Sequence, residues 1–322
     1  MKTHAQVVVI GGGVVGCSVL YHLSKAGWKD VVLVERKQLT AGSTWHAAGG
    51  IHTLNGDPNV AALQKYTVEL YQKIEETSGH ECGIHLPGEL MLADTEERLD
   101  WLRMAHARGR YLGMETEIIT PAEAKKIMPF MDESHFVGAM YDRHGGQVDP
   151  SGVTHAYAKA AQMAGAEVYL DTWAREITRH TDGSWDVVCD RGTINCEHVV
   201  NAGGLWAREV GRMIGLELPI LAMEHMYLLT DEIPEVQRCM EESDIGIPMV
   251  IDFGAEIYSR EEQGGLLLGT YEIACVPWSP VETPWDFGLQ LLDPDIDRIN
   301  ERICRQDYPR DPKLEYPLSD DG

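Results

Sequence analysis

The chain's first clear pattern is an unbroken apolar run, Val7-Val8-Val9-Ile10, with no polar position inside it. Such a run predicts a strand buried on both faces, as in a parallel sheet. It stops at Gly11 and a helical period takes over. Cys17, Leu20 and Leu23 fall on one stripe of a helix from Val14 to about Ala26, ending at Gly27. A second run, Val31-Val32-Leu33-Val34, closes on Glu35. Pro58 then opens a helix over residues 60–77, with Val60, Leu63, Val68, Leu70, Tyr71 and Ile74 as its apolar positions. Leu90 to Ala93 reads as a strand, Glu96 to about Gly113 as a charged amphipathic helix, and Pro121 as the first turn of another. A helix from Ser151 to Ala164 follows, then strands at 166–170, 185–188 and 193–194, and a buried strand from His198 that meets Ala202-Gly203-Gly204. From Leu218 the periods shorten. Segments 223–230, 249–252, 255–260 and 265–271 are joined by Gly-bearing turns, which predicts an antiparallel sheet. A last helix spans about 294–304, and 305–322 is a polar tail.

The glycines between the first two elements carry chemistry. Gly11, Gly13 and Gly16 stand in G-x-G-x-x-G spacing: the first for a tight turn, the second for close approach of backbone to a pyrophosphate, the third for helix–strand packing. The helix N-terminus would face the phosphates. Glu35, 19 residues after Gly16, sits where a carboxylate accepts hydrogen bonds from an adenosine ribose, worth roughly 1.5–3 kcal/mol. The plainer alternative is ordinary strand–helix–strand packing. Glu35 suits NAD and FAD alike.

Composition narrows the partners. With 322 residues and 44% apolar content the chain can bury a large core in one two-lobed unit. A net charge of −24, with no basic stripe to offset it, argues against nucleic acid or an anionic membrane surface. Seven cysteines, an odd number without framework spacing, fit reduced thiols, and a cytoplasmic location is expected. Met1 to Gln6 lead straight into the first strand without room for a targeting peptide, and no apolar run is long enough to span a bilayer. His80-x-Cys82-x-x-His85 lacks a second half and reads as a loop, so no metal is expected.

Beyond Glu35, the stretch Ala41-Gly42-Ser43-Thr44-Trp45-His46-Ala47-Ala48-Gly49 resembles the flavin-attachment segment of the dimethylglycine and sarcosine dehydrogenase family, FAD enzymes of the D-amino acid oxidase-like superfamily. The resemblance implies FAD, carried covalently by His46; the alternative is a histidine that only packs on the ring. The glycine turn at Ala202 resembles the superfamily's second nucleotide-contacting turn, which favours FAD over NAD. By the same resemblance the cofactor contacts are Gly11, Gly13, Val14, Val15 and Gly16 in the first turn, and Glu35 and Arg36 after the second strand. Gly42, Ser43, Thr44, His46, Ala48, Gly49 and Gly50 follow in the attachment segment, with Ala174, Ala202, Gly203 and Trp206 in the second α/β unit. The implied fold class is α/β plus antiparallel β. A Rossmann-like FAD lobe, about 1–57 and 146–216, carries an inserted substrate lobe, about 58–145 and 217–304, built on the antiparallel sheet.

Period-two geometry sends His225 and Tyr227 to one side of a strand, and Tyr258 and Arg260 to one side of another. Glu224-His225-Met226-Tyr227 and Tyr258-x-Arg260-x-Glu262 resemble the family's pocket strands, which makes His225, Tyr258 and Arg260 the catalytic candidates. A neutral His225 suits acceptance of an ammonium proton, Tyr258 suits holding an amine or carboxylate, and Arg260 suits clamping a carboxylate. The plainer readings are a core histidine and a surface ion pair. The implied activity is oxidative N-demethylation of dimethylglycine or sarcosine, with hydride passing to flavin N5 and the iminium hydrolysing to formaldehyde. Electrons would leave to oxygen or an electron-transfer flavoprotein. The alternatives are an oxidase of another secondary or cyclic amine, and a truncated or non-catalytic FAD-binding protein. Members of this family continue past a position equivalent to about residue 300 with a further Gly-rich strand and helix, often followed by a folate-binding region, so the chain is expected to lack that C-terminal part.

Overall fold

The computed structural model describes residues 1–271 and 275–303. They form two compact units: residues 1–86, 146–225 and 275–292, and residues 87–145, 226–271 and 293–303.

The first unit is built on a six-stranded sheet in the order Glu167–Tyr169, Val31–Val34, His4–Ile10, Gly192–Asn201, Trp185–Cys189, Ala174–Arg179. The first four are parallel neighbours and the last two form an antiparallel edge. Both apolar runs are fully buried because each supplies two cores. Val7, Val9, Val31 and Leu33 pack with Cys17, Leu20, Ile74 and Tyr157. Val8, Ile10, Val32 and Val34 pack with Ile177, Val187, Ile194 and Val210. Helices Val14–Lys25 and Pro150–Met163 lie against each other in the first of these cores, where Gly152, Ala156, Ala160 and Ala161 permit close approach. Asp149 caps the second helix, accepting from the Ser151 N–H at 2.9 Å.

Several expectations are corrected here. The helix Pro58–Ser78, expected in the inserted lobe, belongs to the first unit, because Leu70, Tyr71 and Ile74 complete the core with Tyr157. Its buried stripe runs through Ala61, Val68, Tyr71 and Ser78, one position off Val60 and Leu63, which are therefore exposed. The strands expected at 193–194 and 198–201 are one strand, Gly192–Asn201, which pairs antiparallel on one side and parallel on the other. Its C-terminal half is only half-buried at Val199 and Val200. The strand Ala174–Arg179 is additional. The expected strand 223–230 splits where the chain changes sheets. Ala222–Met223 pairs with Pro277–Trp278, and Tyr227–Leu229 pairs with Gly265–Thr270. Residues 224–226 are in neither strand, so period-two geometry does not tie His225 to Tyr227.

The second unit holds a seven-stranded sheet in the order Tyr227–Leu229, Gly265–Thr270, Ile257–Glu262, Met249–Asp252, Glu89–Ala93, Gly138–Asp142, Thr116–Ile119. It is antiparallel except where Met249–Asp252 runs parallel to Glu89–Ala93. Leu90, Leu92, Ala139, Tyr141 and Val250 form its core with Met128, Met131 and Val236. Val236 comes from the helix Pro234–Glu242, in a stretch where the sequence pattern suggests only strands and turns. The last described helix is Ile296–Ile303. The expected polar tail, 305–322, lies outside the described residues.

Candidate cofactor and substrate sites

The two glycine turns meet. Gly11 has φ +114, and a Cβ there would overlap the Ala202 carbonyl oxygen. A Cβ on Gly16 would overlap the Gly11 carbonyl oxygen and come within 3.4 Å of the Ala202 Cβ. The Ala202 N–H donates to the Ile10 carbonyl at 2.9 Å, and the Gly203 N–H to Asn201 Oδ1 at 3.1 Å. Gly13 is the N-cap of helix Val14–Lys25 and supplies no side-chain cap. The Val14 N–H instead donates to Thr44 Oγ1 at 3.0 Å, which anchors the 41–50 segment to the helix start, while Val15 stands exposed beside it.

Glu35 is buried, and its carboxylate accepts from the Gly12 N–H at 2.7 Å and the Lys37 N–H at 2.8 Å. Burial pushes its pKa up, while those N–H groups and the Arg36 charge pull it down. The acid thus ties the glycine turn to the exit of the second strand. Gly12, not among the sequence candidates, is closely packed too: a Cβ there would lie 2.8 Å from Leu39 and 2.9 Å from Glu35. Arg36 lies 3.9 Å over the Trp206 ring, which also backs Gly42. It donates to the carbonyls of Trp285 and, at 2.6 Å, Phe287.

Residues 38–50 are mostly turns, as their small side chains suggest. Ser43 is exposed, the Gly49 carbonyl accepts from the Val148 N–H at 2.9 Å, and Gly50 pairs with Gln147; Ala48 is half-buried. His46 Nδ1 is 2.6 Å from the Gly42 carbonyl oxygen and Nε2 is 2.9 Å from that of Gln290. Ala174 is buried and follows Trp173, whose indole nitrogen is buried with no acceptor among the described residues, under Arg175 and 5.1 Å from Trp285. A helix start whose N-cap is a glycine, glycines that cannot carry a Cβ and a buried carboxylate together fit a dinucleotide's pyrophosphate and ribose.

In the second unit, register places Tyr227 and Tyr258 on either side of Gly269, and so on one face of the sheet. A Cβ on Gly269 would overlap the Tyr258 ring, which is buried and 5.3 Å from Tyr271. Arg260 shares that face. Its Nη1 lies 2.6 Å from Glu262 Oε2 and donates to the Glu261 carbonyl at 2.8 Å, with only 11% of the side chain exposed. The ion pair is therefore real but largely buried. Tyr258 and Arg260 are brought together on one face of the second unit's sheet, while His225 is exposed and belongs to the first unit, in the stretch between two strands. Sequence reasoning passed over Glu89 and Asp142, both fully buried and directly paired across strands. Burial, then the Asp142 charge, pushes Glu89 up to about 8. The available signal was an acid at the head of the apolar run 90–93.

The model of the FAD dependent oxidoreductase family matches residues 6–315. The chain is 37% identical over 307 residues to the mitochondrial dimethylglycine dehydrogenase of Rattus norvegicus, covering 94% of this chain and 35% of that protein. It is 36% identical over 299 residues to the mitochondrial sarcosine dehydrogenase of Homo sapiens, covering 91% and 32%. The chain thus spans about a third of the length of these relatives. Among solved structures, L-proline dehydrogenase from P. horikoshii matches with a TM-score of 0.79 and 26% identity, covering 94% of this chain and 76% of that one. No helix among the described residues is long and apolar enough to cross a membrane.

Proposed function

Because the chain belongs to the FAD dependent oxidoreductase family, we propose that it binds FAD at its paired glycine turns and oxidises a small N-methylated amino acid such as dimethylglycine or sarcosine. The observation that carries this reading is the mutual fit of Gly11, Gly16 and Ala202 beside a helix start whose N-cap is Gly13, with Glu35 closing the turn. Gly13, Val14 and Val15 would face the pyrophosphate, Glu35 and Arg36 the ribose side, and the 42–50 segment the ring, with His46 as the covalent anchor. Ala174, Gly203 and Trp206 would complete the nucleotide contacts. Bound there, FAD supplies a two-electron sink for hydride from a carbon attached to the substrate nitrogen.

Hydride can leave only when the nitrogen lone pair is free, so the substrate ammonium must first lose a proton. His225 takes it, directly or through water. Tyr258, its ring held over Gly269, orients the amine or carboxylate. Arg260 meets the carboxylate by exchanging part of its contact with Glu262. Water then converts the iminium to formaldehyde and the demethylated amine, and the electrons pass to oxygen or an electron-transfer flavoprotein. Four of the six described cysteines are buried, which suits a reducing compartment such as the cytoplasm.

Binding is tested by titrating the protein with FAD while following tryptophan fluorescence, and attachment by acid precipitation. Saturable quenching and acid-stable flavin in wild type but not in His46→Ala support the reading. Absence of quenching at FAD concentrations saturating for ordinary flavoproteins contradicts it.

A further inference from the structure

We infer that residues 284–290 form a strap over His46, and that covalent attachment of flavin at Nε2 and closure of the strap's Gln290 end exclude each other. The inference rests on the proposed attachment at His46.

The strap is held by side chains of the first unit. Trp206 Nε1–H donates to the Pro284 carbonyl at 2.9 Å, Arg36 to those of Trp285 and Phe287, and Lys37 Nζ to that of Asp286 at 2.9 Å. Its far end reaches the histidine. The Phe287 ring stacks on the imidazole at 12° with centroids 6.0 Å apart, and the Gln290 carbonyl oxygen is 2.9 Å from Nε2. The Gln290 side chain braces this end, accepting from the Gly288 N–H at 2.7 Å and donating to the Asp286 carbonyl at 3.0 Å.

Both nitrogens of His46 face carbonyl oxygens. A carbonyl only accepts, so the Gln290 contact requires a proton on Nε2. Attack on a carbon requires the opposite: a lone pair on Nε2 and the proton on Nδ1, where the Gly42 carbonyl stabilises it at 2.6 Å. In that tautomer two lone pairs face each other across 2.9 Å at Gln290, and the strap end is repelled. Attachment makes the exclusion permanent. A C–H bond of the flavin's 8α-methyl group breaks and an Nε2–C bond forms. The methyl proton and the imidazole proton pass to solvent. The two electrons left behind reduce the ring system and go on to dissolved dioxygen, which becomes hydrogen peroxide. Alkylated Nε2 has no proton for Gln290, whereas Arg36, Lys37 and Trp206 still hold the other end.

The test compares full-length apo-protein with flavin-loaded protein by amide hydrogen exchange, and wild type with Phe287→Ala by the rate at which added FAD becomes acid-stable. Attachment should speed exchange at 288–292 about tenfold while leaving 285 and 286 unchanged. Loss of the Phe287 stack should speed attachment roughly two- to tenfold. Acid-stable flavin forming at equal rates in both proteins, with exchange at 288–292 unaltered, overturns the strap and leaves His46 as the anchor. No acid-stable flavin in either protein overturns the anchor, and the strap with it.

Discussion

Replacing Glu89 by glutamine should stabilise the protein at neutral pH and not at acid pH. Glu89 is fully buried, directly across the ladder from buried Asp142, whose Oδ1 accepts from the His144 N–H at 3.0 Å. Burial first and Asp142 second raise its pKa from 4.5 to about 8, and the Glu89 charge in turn helps to raise Tyr271. The sign follows from proton counting. Between pH 4.5 and 8 the folded chain keeps a proton that the unfolded chain releases, so stability is fully present below 4.5 and falls as pH rises towards 8. Each pH unit costs about 1.4 kcal/mol, so by about pH 7 the loss is about 3 kcal/mol. Glutamine has nearly the same volume and no charge to desolvate, and Asp142 opposite is an acceptor for its amide. Urea unfolding of both proteins near pH 5 and near pH 7 measures this. Glu89→Gln should unfold at about 1 M higher urea near pH 7, with the two curves converging near pH 5. Equal midpoints at both pH values would refute a protonated Glu89.

Other expectations follow from close contacts. Gly11→Ala forces a Cβ into the Ala202 carbonyl at φ +114; FAD retention should fall and stability drop by roughly 2 kcal/mol or more, read by flavin-to-protein ratio and urea midpoint. Gly269→Ala displaces the Tyr258 ring, so flavin reduction by substrate should slow at least as much as in Tyr258→Phe while FAD binding persists; unchanged reduction removes Tyr258 from the mechanism. Arg260→Gln should raise the substrate Kd about tenfold or more without altering FAD affinity, as expected for a lost charged hydrogen-bond pair.

Much of the first unit was legible because its signals are local. The runs 7–10 and 31–34, the glycines at 11, 13 and 16 and the acid at 35 each act within a few residues, and they appear where expected. What the pattern missed depends on distant partners. Ala174–Arg179 is mostly polar, with only Ala174 and Ile177 buried, and becomes a strand by pairing with Trp185–Cys189. Which face of Pro58–Ser78 turns inward follows from Leu70, Tyr71 and Ile74 sharing a core with Tyr157, more than eighty residues on. The change of sheet at 224–226 depends on Pro277–Trp278 and Gly265–Thr270, both later in the chain. The contacts of residues 284–290 on Arg36, Lys37 and His46 bridge about 250 positions, and no local period announces them.

The most direct test of the proposed activity is anaerobic mixing of FAD-loaded protein with dimethylglycine or sarcosine while following the oxidised flavin's visible absorbance. The account predicts that at least one of them bleaches the flavin and releases formaldehyde in equal amount, and that His225→Ala slows the bleaching by about 100-fold. If neither amine changes the spectrum while dithionite bleaches it fully, the protein binds flavin without oxidising these amines, and the proposed function is wrong.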